Sequence, residues 1–105
     1  MTLVNDYWRW IADARSSNRA ERLRAEQDAR PFLDVQERIG QSESSAVEVI
    51  LALLSVVPVG SDWHYRVLAY GPLEDAVSQY GQVIVVNLRS KLADGYDEFL
   101  SMLSD

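Results

Sequence analysis

One stretch of this chain, Val83-Ile84-Val85-Val86, has the composition of a β-strand, and a strand needs a partner. No second strand-like run lies nearby to pair with it. Extended to Leu88 and Leu92, the same residues fit the i, i+4, i+8 spacing of one helical face, starting at Ile84. A helix over the segment "GQVIVVNLRSKLADG", closed by Gly95, is therefore expected. With that run assigned, the chain reads as all-α: a compact single-domain bundle of six or seven short helices spanning residues 1–105.

The remaining segments agree. Leu3, Val4, Tyr7, Trp8, Ile11 and Ala14 follow a helical spacing behind Thr2 or Asn5 as caps. From Arg15 to Arg30 the pattern turns polar, with Arg22–Glu26, Arg24–Asp28 and Glu26–Arg30 spaced for i, i+4 pairing on a solvated helix. Pro31 marks a break or the first turn of a new helix, "PFLDVQERI", which Gly40 should end. Ser42 or Ser44 can cap the next helix. Its run Ala46 to Val57 is apolar nearly all round and should be central, with Pro58 and Gly60 as its stop. Ser61 or Asp62 caps "WHYRVLAY", in which Trp63, Val67 and Tyr70 share a face. "YDEFLSMLS" makes a last short amphipathic helix.

In "YGPLEDAVSQYG", Gly71 should end one helix and Pro72 should open another, with Glu74 and Asp75 in its first turn against the helix dipole. As a carboxylate pair the two acids are poorly placed, because adjacent helical residues point about 100° apart. His64 stands without the second histidine, cysteine or Glu-x-x-His spacing that a metal or a general base would need, which favours a structural histidine beside an aromatic neighbour. No Gly-rich phosphate-loop spacing is present. Trp8 and Trp10 diverge by about 200° on a helix, so one should be buried and the other should lie at a groove or the surface, either as an interface residue or packed beneath the arginine-rich helix.

Around these residues the chain resembles a bacterial family of small helical domains of unknown function, whose hallmark is Ala-Gly-Pro-Leu-Glu-Asp-Leu-Leu followed by His-Gly. The matching run is Ala69-Tyr70-Gly71-Pro72-Leu73-Glu74-Asp75-Ala76-Val77, ending at Tyr80-Gly81. It departs from the hallmark at Tyr70, at Ala76-Val77 and at Tyr80, the last of which stands where the family has histidine. The resemblance implies an all-helical fold and a bacterial source. It brings no activity, cofactor or catalytic residue.

Charge narrows the function classes. Residues 1–40 hold seven arginines against seven acids, whereas residues 41–105 hold only Arg66, Arg89 and Lys91 against nine acids, so the net −6 belongs to the latter. That balance repels phosphate backbones and favours a basic protein surface. Without cysteine there are no disulfides or thiolate sites. The apolar run "AVEVILALLSVVPV" covers 14 residues, too few to cross a bilayer, and "MTLVNDYWRW" lacks a signal-peptide pattern, so a cytoplasmic protein is expected.

The leading expectation is a non-enzymatic, cofactor-free, acidic binding module. It would act as an immunity protein occluding the basic cleft of a cognate toxin, with Asp62, Glu74, Asp75, Asp94, Asp97 and Glu98 as its acids and Trp63 and Tyr65 as anchors. The alternative is a homodimeric structural or regulatory domain joined through the apolar helix and an exposed tryptophan.

Overall fold

The structure, a computed structural model, describes residues 2–92 and 96–102. Among them every regular element is helical: α1 (Thr2–Ala14), α2 (Arg19–Gln27), α3 (Arg30–Gln41), α4 (Glu43–Leu54), α5 (Asp62–Leu68), a π-helical turn (Ala69–Leu73), α6 (Glu74–Tyr80), α7 (Val83–Lys91) and α8 (Asp97–Ser101). The chain forms two compact units, Met1–Glu37 and Arg38–Asp105.

In the first unit the polar stretch is not one helix from Arg15 onward. Asn18 interrupts it, and its side-chain oxygen accepts from the backbone N–H groups of Ala20 (2.9 Å) and Glu21 (3.4 Å), which fixes the start of α2. Arg24 reaches back to Asp13, with Nε 3.3 Å from Oδ2, and not forward along its own helix. Trp10 packs under α2 as the sequence suggests. Its indole N–H donates to the Ala25 carbonyl at 3.0 Å and its ring stacks on Phe32, with centroids 5.5 Å apart. Trp8 is half-buried too, edge-on to Tyr7 at 5.7 Å, so the two tryptophans do not divide into one buried and one exposed.

In the second unit Ser42 caps α4 by accepting from the Ser45 N–H at 3.0 Å. The helix is more one-sided than its composition suggests. Ala46, Val47, Val49, Ile50, Leu53 and Leu54 are buried, whereas Ser44 and Glu48 are exposed and Leu51 and Ala52 half-buried. It ends at Leu54, four residues before Pro58, where the Ser55 N–H and hydroxyl turn back to the carbonyls of Leu51 and Ala52. The Val83–Val86 run is helical, and α7 packs on α4 and α6 through Ile84, Val85 and Leu88. The helix ends earlier than expected, at Lys91. Leu92 is extended, with its N–H donating to the Leu88 carbonyl, and does not continue the helical face; Gly95, the expected stop, lies outside the described residues.

Two glycine assignments change. Gly40 lies inside α3, which runs on to Gln41, and does not end it. A methyl group at Gly40 would meet the Gln79 amide oxygen at 3.8 Å, an ordinary contact. Gly40→Ala is therefore expected to stabilise the protein by about 0.5 kcal/mol, by removing backbone freedom from the unfolded chain. Urea denaturation monitored by circular dichroism would measure it.

The larger change is at Gly71-Pro72. No break occurs there: α5, the π turn and α6 join end to end as one helix from Asp62 to Tyr80. Proline inside an α-helix lacks the N–H for the carbonyl four residues back, and its ring collides with that carbonyl. The wider π turn absorbs both defects, and the Glu74 N–H reaches the Ala69 carbonyl five residues back. Burial supplies the reason to continue the helix, because Tyr65, Leu68, Ala69, Leu73 and Ala76 are all fully covered and Pro72 lies buried among them. At the far end of this helix the Tyr80 hydroxyl donates to the Ile39 carbonyl at 2.7 Å.

Candidate protein-binding face

The continuous helix presents its residues in two stripes. The buried stripe carries Tyr65, Leu68, Leu73 and Ala76; the outward side carries Trp63, Val67 and Tyr70, the face that the sequence groups together. Trp63 is 40% and Tyr70 58% exposed, with Val67 half-buried between them. Asp62 opens the helix and pairs with Arg66, Nε to Oδ2, at 3.0 Å, both side chains exposed. Beyond Tyr70 come Glu74, exposed, and Asp75, half-buried; neither opens a helix, because both follow the π turn without interruption. Their unequal exposure fits the divergence of adjacent helical positions.

Tyr65 is misplaced as a partner anchor. It is fully buried; its ring packs beside Tyr96 (6.1 Å) and Phe99 (5.8 Å), and its hydroxyl accepts the Gly60 N–H at 2.8 Å. Its role is to hold α8 and the Gly60 turn against α5. Tyr70 is the exposed tyrosine of this helix, and it was absent from the sequence-derived set. The signal for it lies in the phase of Tyr65, Leu68, Ala69 and Leu73, which follows a helical spacing straight through Gly71-Pro72. Asp97 and Glu98 are exposed on α8, whereas Asp94 lies outside the described residues.

His64 is half-buried. Its ring stacks on Trp63 with centroids 3.6 Å apart, and Nδ1 shares a hydrogen bond with the Ser61 hydroxyl. That bond diverts Ser61 from capping, and the Ser61 side chain makes no bond to the helix backbone. Among the described residues no charged side chain is buried, the buried polar groups are tyrosine hydroxyls, and no three His, Asp or Glu side chains gather as a metal site.

Surface hollows are also present among the described residues. One, about 260 Å³, lies between α4 and α7 and is lined by Ser44, Val47, Glu48, Leu51, Asn87 and Lys91, with Asn87 donating to Glu43 at 2.7 Å. Another, about 150 Å³, lies in the first unit among Asp6, Arg9, Asp13, Arg24 and Asp28. No described helix is long and apolar enough to cross a membrane. Comparison with protein-family models, with curated proteins and with solved structures found no match to this chain.

Proposed function

We propose that this chain is a non-enzymatic protein-binding module, an immunity-type inhibitor that covers the basic cleft of a cognate toxin. One observation carries the reading: a single continuous helix exposes two large aromatic side chains, Trp63 and Tyr70, with Asp62 before Trp63 and Glu74 and Asp75 about one turn beyond Tyr70. Aromatic anchors ringed by charge are the side chains that dominate protein interfaces. The acidic flanks, with Asp97 and Glu98 on α8, steer a basic surface toward them and speed the encounter. The resemblance around Tyr70–Gly81 adds a bacterial setting.

The test is genetic and then biochemical. Expressed alone, the neighbouring open reading frame should arrest growth, and co-expression of this chain should restore it. A harmless neighbour, or arrest that persists, sinks the reading. With the complex in hand, Glu74→Lys combined with Asp75→Lys should weaken binding at least tenfold, mostly through a slower on-rate at low salt.

A further inference from the structure

We infer that the hollow between α4 and α7 binds a small zwitterion, a free α-amino acid with an aliphatic side chain. Its lining comes from two helices of one compact unit: Ser44, Val47, Glu48 and Leu51 from α4, and Asn87 and Lys91 from α7. None of these residues lies on the helix from Asp62 to Tyr80, so the inference stands apart from the protein-binding reading.

The covered part of the lining is apolar and the open part is charged. Val47 is buried and Leu51 half-buried, whereas Glu48 and Lys91 are exposed, one acid and one base carried by different helices. Neither forms an ion pair with another described residue. Asn87 is oriented as well. Its amide nitrogen donates to the Glu43 carboxylate at 2.7 Å, which ties α7 to the first turn of α4. A carboxylate only accepts, so the nitrogen must face Glu43, and the amide oxygen is left as an acceptor.

Charge and size together select the ligand. A plain carboxylate would gain Lys91 but meet Glu43 and Glu48; a plain amine would gain the acids but meet Lys91. A molecule carrying both groups satisfies both sides: its carboxylate accepts from the Lys91 ammonium, and its own ammonium donates to Glu48 and the Asn87 oxygen. An aliphatic side chain then covers Val47 and Leu51. The hollow, about 260 Å³, falls just below the roughly 300–1,000 Å³ of sites for drug-sized ligands, so its occupant is small.

Titrating the isotope-labelled full chain with L-leucine, followed in two-dimensional amide NMR spectra, should shift Ser44, Asn87 and Lys91 saturably, with a dissociation constant of about 1 mM or below. Isocaproate, which lacks the ammonium group, and isoamylamine, which lacks the carboxylate, should each bind about fivefold more weakly or worse. Glu48→Gln and Lys91→Gln, both at exposed positions, should keep the helical circular dichroism and each weaken leucine binding by about the same factor. No saturable shift at these residues, equal binding of either truncated analogue, or undiminished affinity in either variant would overturn the inference.

Discussion

Replacing Tyr65 by alanine is expected to cost about 4 kcal/mol, the range for deleting a large aromatic from a packed interior. The side chain is fully buried, touches the rings of Tyr96 and Phe99, and secures Gly60 through its hydroxyl. Two contributions can be separated. Tyr65→Phe keeps the ring and leaves only the Gly60 N–H without its acceptor, a loss of about 1 kcal/mol. Urea denaturation of the two variants gives both numbers. A cost near zero for Tyr65→Ala would mean that Tyr65 is not in the core and would return it to the set of partner anchors. By the same logic Tyr65→Phe leaves partner affinity unchanged, whereas Tyr70→Ala lowers it.

Ile84→Ala should cost about 3 kcal/mol, whereas Val86→Ser, two residues along, should change stability by less than about 0.5 kcal/mol. Ile84 is fully buried on α7 and Val86 is 64% exposed. The contrast decides between conformations, because residues i and i+2 share a face in a strand but lie about 200° apart on a helix. Equal costs at both positions would mean that the run is extended. Urea midpoints for the two variants, taken at low protein concentration, are sufficient.

Helices whose own residues carry a strong apolar spacing, with or without a cap, were readable from sequence. In α4 the Ser42 cap and the apolar run coincide, and in α7 the Ile84–Leu88 spacing outweighs the β-branched composition. The misreadings arose where a local signal met a tertiary demand. Gly71-Pro72 is a strong local stop, yet Leu68, Leu73 and Ala76 all need covering, and that demand carries the helix through by way of the π turn. Gly40 is the same error on a smaller scale. The phase that tells Tyr65 from Trp63 and Tyr70 is already present before Gly71, in the shared face of Trp63, Val67 and Tyr70; Tyr65 lies off that face, with Leu68 and Ala69 in the core, and does not belong among the anchors. Asn18 was missed because polar residues on both sides hid the cap among side chains of similar character. Of the acids in the expected set, Asp62, Glu74, Asp97 and Glu98 are exposed, as charged groups ordinarily are, and Asp75 is half-buried.

The uninterrupted helix also works as a ruler. Twelve residues separate Asp62 from Glu74, about 18 Å at the α-helical rise of 1.5 Å per residue and less where the π turn at Ala69–Leu73 intervenes. Two hinged helices, broken at the proline, could swing both carboxylates onto one cation; a single rod keeps them on separate ones. A surface that satisfies both must therefore offer two cationic spots at roughly that separation, with a depression between them deep enough for Tyr70. That spacing can be sought directly on any protein found to bind this chain.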